Sequence, residues 1–270
     1  MVSDNTLRNL HGVAALLHFV QATALTGLLI NDATTDEIPE GETMTNYEAQ
    51  KWWLTRLTFR SKVRSESIYP IQWLLPSFSA LSTVNHAVSY FAFDWYKRNV
   101  LQPRCNLLRY SEYFFSSSLV YWVIASQAGI TDLRSLVSLS LTNSAMMLLG
   151  YVIEKRFAEG ASQGELLILS LTAWTMFLAT WIPVLMSFFT SVADNPETPP
   201  AVYSVVLVLF FLFASFGLLQ VLYLGGLVKD YKQVELGYIV LSLVSKSLLA
   251  WIVWFGIKRP RSASEAIDST

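Results

Sequence analysis

Cysteine is nearly missing from this chain: Cys105 is the single one in 270 residues, so no intramolecular disulfide can form and no Cys/His spacing suggests a structural metal. Charge is scarce as well. Asp, Glu, Lys and Arg make up 14% of the sequence, against about 25% in a soluble domain. The 19 Lys and Arg nearly cancel the 20 Asp and Glu, leaving a net charge of -1 and no surplus that would attract a phosphate backbone. Nucleic acid is therefore not an expected partner. Missing too are a nucleophile elbow, a P-loop, an HExxH helix and a pair of catalytic carboxylates, so hydrolase and phosphotransferase chemistry find no support and the chain reads as a non-enzyme.

Apolar residues supply 53% of the chain, and they gather in runs long enough to cross a bilayer. Seven such segments are read at about 7–30, 70–93, 103–128, 133–153, 165–190, 201–224 and 234–257. Backbone polar groups in lipid must be satisfied internally, and none of these segments alternates with the period of a barrel strand. The predicted fold is an all-α membrane protein, a single seven-transmembrane-helix bundle surrounded by lipid. Residues 31–69 are polar and include Trp52, Trp53 and Phe59, which reads as a long, partly ordered interfacial cap. Residues 258–270 form a tail. In the short loops Lys97, Arg98, Arg104, Lys155, Arg156, Lys229 and Lys232 fall on the N-terminal side, against Arg134 on the other. The cluster Lys258, Arg259 and Arg261 argues for the opposite orientation, so charge alone leaves the topology open.

Lys246 is the charge that the lipid setting makes expensive. It sits about 12 residues into the last segment, roughly 18 Å along the helix, where an ammonium costs about 2.5–3.5 kcal/mol even on lenient insertion scales. One reading is a buried Lys–carboxylate pair that orients helices; the other is a lysine whose amine condenses with an aldehyde. Glu112 in the third segment lies at a matching depth and is the natural partner. Ser116 and Ser242, each one turn away on the same faces, can hydrogen-bond the pair or bond back to their own helices. Arg109 and Glu235 lie nearer the N-terminal side, where they can pair, or Arg109 can snorkel to headgroups. His18 with Gln21, and His86 beside Asn85, reach the depth of Glu112 and can border a polar, proton-exchanging cavity or be satisfied core residues. His11 reads as interfacial.

These residues resemble a microbial-type rhodopsin, and within that superfamily heliorhodopsin. The matching pieces are LHFVQ in the first segment, the His of NHAVSY in the second, RYSEY with a serine one turn later in the third, and SLVSKSLLAW in the seventh. The acids that bracket the lysine in ion pumps are missing; Glu112 alone remains. The resemblance implies all-trans retinal bound covalently to Lys246 as a Schiff base, with Glu112 as counterion and Ser116 and Ser242 adjoining it. It implies a cytoplasmic-side cavity lined by His18, Gln21, Asn106 and His86, with Arg109 and Glu235 near its mouth. Tyr113, Phe211 and Trp251 are the aromatics assigned to the retinal pocket, Phe211 standing in for the tryptophan that the sixth segment lacks. A cytoplasmic N-terminus and a homodimer are implied as well.

The expected function is that of a light-responsive photoreceptor acting through a sensory or regulatory conformational change, with an unidentified signalling partner. The alternative is a light-gated proton or ion channel, its path formed by Glu112, the histidines and Ser116, Ser117 and Ser118. A transporter with a merely structural Lys–Glu pair stays colourless with added retinal. The retinal reading predicts a visible absorption band on adding all-trans retinal to the wild type and its loss in Lys246→Ala, measured by difference spectroscopy of purified membranes.

Overall fold

The computed structural model describes residues 2–35, 71–130, 132–193 and 200–257. Seven long helices carry them: α1 Asp4–Thr35, α2 Ile71–Phe91, α3 Leu107–Gln127, α4 Leu133–Ala158, α5 Gln163–Ala193, α6 Pro200–Leu224 and α7 Tyr231–Ile257. The all-α membrane bundle expected from the sequence is the fold observed. No strand occurs among the described residues. Beyond Thr35, the expected interfacial cap lies outside the described residues, as does the tail 258–270.

Several helices outrun their apolar stretches. α1 continues past Ile30 to Thr35, and α4 continues past Ile153 through Glu154, Lys155 and Arg156 to Ala158. Hydrophobicity marks what lies in lipid, whereas the hydrogen-bond ladder runs on until a cap stops it. At the end of α4 the cap is Gly160, whose φ of +83° is the left-handed backbone that closes a helix. α3 behaves in the opposite way and starts at Leu107 rather than at Pro103, because Asn106 caps it by accepting the Arg109 N–H at 2.9 Å. Between α2 and α3 the chain makes a short helical turn, Phe93–Tyr96, and a wider-wound one, Lys97–Leu101. That second turn closes with Gln102 N–H donating to the Lys97 carbonyl at 2.9 Å.

Each helix packs against its neighbour in the chain, and α7 packs on α1 to close the ring. The α1–α2 contact is the most extensive; α5 and α6 touch only lightly. The outer surface is apolar, with Leu16, Phe19, Val84, Phe115, Ile168 and Met186 exposed, while histidines, serines, Arg109, Glu112, Glu154, Glu235 and Lys246 are buried. This distribution suits a bundle whose solvent is lipid. Five helices are long and apolar enough to cross a membrane: α1, α4, α5, α6 and α7. α2 and α3 are diluted by serines, His86, Arg109 and Glu112, because these two helices turn polar faces toward the interior.

The interior is layered. At the end where α1 begins, Leu7, Tyr96, Tyr223, Tyr231, Val234 and Tyr238 form one apolar cluster. At the other end Phe78, Tyr121, Trp181, Phe188, Leu249 and Trp254 belong to a larger one, reinforced where the Tyr121 hydroxyl donates to the Thr180 carbonyl. The polar side chains occupy the level between and beside these clusters.

Candidate functional site

Lys246 on α7 points its ammonium at α2 and α3. Nζ lies 2.6 Å from Glu112 Oε1 and 2.6 Å from Ser82 Oγ, and the Ser82 hydroxyl donates to the same Glu112 oxygen at 2.9 Å. Three helices thus meet at one ion pair. Lys246 and Glu112 are 5% and 8% exposed, so the attraction acts in a weakly screened interior and offsets the cost of placing both charges there. The Tyr113 ring, 5.1 Å from Nζ, offers its face to the same cation. Lys246 is the one buried lysine among the described residues.

The serines fall differently from expectation. Ser116 and Ser242 are buried beside the pair, yet neither bonds Lys246 or Glu112; Ser82 on α2 does so instead. A signal for Ser82 existed in the sequence. Ser79, Ser82, His86 and Ser89 recur at helical spacing and mark one polar face of α2. Ser117 and Ser118 bond back to the Tyr113 and Phe114 carbonyls and reach Asn143 and Ser144 on α4, which makes them helix-packing residues.

Beside Lys246 a cavity opens between α3, α4, α5, α6 and α7, with about 970 Å³ of space free of protein atoms when its open side is included. Tyr113, Trp174, Phe177, Phe213, Phe216 and Tyr238 supply its aromatic walls. Phe211 does not: it is 65% exposed on the outer surface, and Phe213 and Phe216 line the cavity from α6. α6 is apolar almost all round, and its inward face is marked by Gln220, one turn beyond Phe216 and two beyond Phe213. Trp251 packs against the apolar cluster around Trp181 and Trp254 and is not among the cavity-lining residues. Two glycines on its lining let aromatic rings pack closely. A Cβ on Gly150 would stand 2.7 Å from Tyr110 Cε1, and one on Gly217 would stand 3.0 Å from Trp174 Cζ2. Gln220, also on the lining, donates to the Tyr110 hydroxyl and the Gly150 carbonyl at 3.0 and 2.9 Å. An apolar slot with an amine on its wall suits a hydrophobic aldehyde held by covalent attachment.

On the other side of Lys246 lie the histidines. His18 and His86 stack with centroids 5.7 Å apart and planes 2° from parallel. His11, expected at the interface, is instead buried at 2% exposure, with its Nδ1 3.0 Å from His86 Nδ1. The helix begins at Asp4, where Lys97 and Lys232 clamp the Asp4 carboxylate at 2.6 Å each, so His11 already lies about two turns inside. A small void is lined by His11, Asn85, His86, Asn106, Arg109 and Glu235 among others. Gln21 is turned away from it and donates to Ser79 Oγ at 2.8 Å, and His18 is not on its wall.

Arg109 is no snorkelling residue. It is 3% exposed and held by two carboxylates, Glu235 on α7 and Glu154 on α4, the latter at 2.7 Å. Glu154 escaped the sequence reading because it lies just past the apolar part of the fourth segment. The Asn106 side chain and the Tyr96 hydroxyl donate to Glu235 at 2.7 and 2.6 Å, and the Asn106 N–H donates to Glu154 at 3.0 Å. Arg109 also stacks 3.8 Å over the Tyr238 ring.

A family model for heliorhodopsin matches residues 7–257, nearly the whole chain. The chain belongs to the heliorhodopsin family. Comparison with curated proteins gives no match. Heliorhodopsins are retinal-binding, rhodopsin-type photoreceptors rather than enzymes, and this one is an integral membrane protein. Their chromophore is carried on a lysine, and the amine of Lys246 borders the aromatic slot described above.

The Arg109 cluster makes a direct prediction. Arg109→Leu leaves Glu154 and Glu235 buried without their cation and is expected to destabilise the fold by about 3–5 kcal/mol. The readout is the thermal unfolding midpoint in detergent; a midpoint equal to that of the wild type would show that the cluster contributes nothing to holding the helices.

Proposed function

We propose that this heliorhodopsin is a sensory or regulatory photoreceptor in which Lys246 carries all-trans retinal as a protonated Schiff base and Glu112 is its counterion. Bound there, retinal supplies light absorption and isomerisation. The chain's residues do the rest. Glu112 and Ser82 hold the positive charge at Lys246 Nζ in the dark, and the walls of Trp174, Phe177, Phe213 and Phe216 exclude water from the slot. Loss of the contact between Nζ and Glu112 leaves a charge that the apolar interior tolerates poorly. The proton at Nζ then moves to Glu112 or toward the histidines, and helices α2, α3 and α7 readjust around the broken pair.

The observation that carries the sensory reading is the single carboxylate at Lys246. The other two buried glutamates among the described residues, Glu154 and Glu235, are committed to Arg109. A pump needs a second acid that takes or returns the proton on the far side, where this bundle has the apolar cluster of Tyr121, Trp181 and Trp254. The reading extends to a cytoplasmic N-terminus, a homodimer and a signalling partner reached through the loops or helix surfaces. A light-gated proton conductor is the second reading, favoured by the column of polar groups from Lys246 through His86 and the small void to Arg109.

Two experiments test this. Glu112→Gln is expected to move the dark absorption band, since a neutral amide no longer offsets the positive charge; an unchanged spectrum rejects Glu112 as counterion. Whole-cell voltage clamp of pigmented cells under illumination, with voltage and external pH stepped, is expected to show no light-evoked current. A current whose reversal potential follows the proton gradient replaces the sensor with a conductor.

A further inference from the structure

His11 takes no part in the counterion arrangement, yet it is buried against the residues that do. Its Nδ1 faces His86 Nδ1 at 3.0 Å, with both rings at most 3% exposed. Two identical ring nitrogens at that distance satisfy each other only when one carries hydrogen and the other a lone pair. The contact has a local cause in the sequence. Gly12 follows His11, and a Cβ there would come 2.9 Å from the Tyr90 ring, so its absence lets α1 lie close on α2. His86 is one turn from Ser82, which holds Lys246 and Glu112. On its other side His11 meets Tyr96, with ring centroids 4.9 Å apart, and the Tyr96 hydroxyl holds Glu235. Nε2 of His11 is buried without a hydrogen-bond partner. The void that His11 borders, shared with Glu235 and Asn106, has room for about one water molecule.

Resting on the retinal reading above, we infer that His11 and His86 form a hydrogen-sharing imidazole pair that passes a proton from the Lys246 side of the bundle to the Glu235 side. In the resting pair the His86 Nδ1–H donates to the His11 Nδ1 lone pair, which places the single N–H hydrogen of His11 on Nε2 and leaves His86 Nε2 as a base. A proton arriving at His86 Nε2 makes that ring a cation. Its Nδ1–H bond breaks as a new N–H bond forms at His11 Nδ1. His11 then gives up its Nε2 hydrogen to water in the void or to the Glu235 carboxylate. One proton enters, one leaves, and both rings end neutral with their tautomers exchanged. The groups facing the pair are His18, stacked on His86, with Lys246 on one side and Tyr96, Glu235 and Arg109 on the other.

Nitrogen-15 histidine NMR of the full chain in lipid, without retinal, tests the pair itself. A coupling across the hydrogen bond between two Nδ1 atoms, abolished in His11→Phe, is expected; its absence from the wild type overturns the pairing. Flash photolysis of the pigment tests the relay, with pigment yield as the folding control. In His11→Phe and His11→Gln the rise of the light-induced absorbance change that reports proton loss from Lys246 should slow about tenfold or more. An unchanged rise in both variants overturns the relay. If the wild type takes up no retinal, the retinal reading fails, and the NMR result alone decides the pair.

Discussion

A positive charge on Lys246 inside a lipid-facing bundle has to be compensated where it stands, and the surrounding architecture follows from that requirement. Compensation comes from Glu112 on α3 and Ser82 on α2, which ties three helices together at one depth. The same requirement explains why α2 and α3 lack the membrane-length apolar stretch that the other five helices have. They bring serines, a histidine and a carboxylate to the interior and keep apolar residues such as Val84 and Phe115 on the outer surface. An ammonium paired by a single carboxylate is also easily perturbed, which is what a light-driven switch needs from its resting state.

A second charged layer lies one helical turn nearer the start of α3. Arg109 joins α3 to Glu154 on α4 and Glu235 on α7, and Tyr96 and Asn106 satisfy the remaining carboxylate oxygens. Buried ion pairs add little net stability over an apolar packing of similar shape, but removing one partner is costly. Such a cluster therefore fixes which helices lie together. Between the two charged layers sit the histidines and a small void, and on the far side of Lys246 the interior is aromatic and aliphatic. Among the described residues the histidines, Arg109 and its two glutamates all lie on one side of Lys246, so a proton displaced from it meets titratable groups there.

The aromatic slot lies on a third side of Lys246 and is shaped by what is missing from it. Gly150 and Gly217 let Tyr110 and Trp174 press against neighbouring backbone, and Gln220 ties α6 across to α3 and α4 on the slot's wall. α5 and α6 touch only lightly, and Gln220 is a polar link that holds α6 to α3 and α4.

The sequence by itself determined that the chain is a helical membrane bundle and that Lys246 and Glu112 belong together. Lipid makes length, apolarity and a buried charge legible along one dimension, and a charge in lipid demands a partner at its own depth. What it left undetermined were relations around the helix axis and between helices far apart in the chain. Ser82 rather than Ser116 or Ser242 closes the ion pair, Phe213 and Phe216 rather than Phe211 face the slot, and His11 turns inward to meet His86. Glu154 joins Arg109 because α4 continues as a helix after its apolar run ends. Each of these depends on helix rotation and close approach, set by glycines and by the combined packing of several helices, and only the tertiary structure decides them.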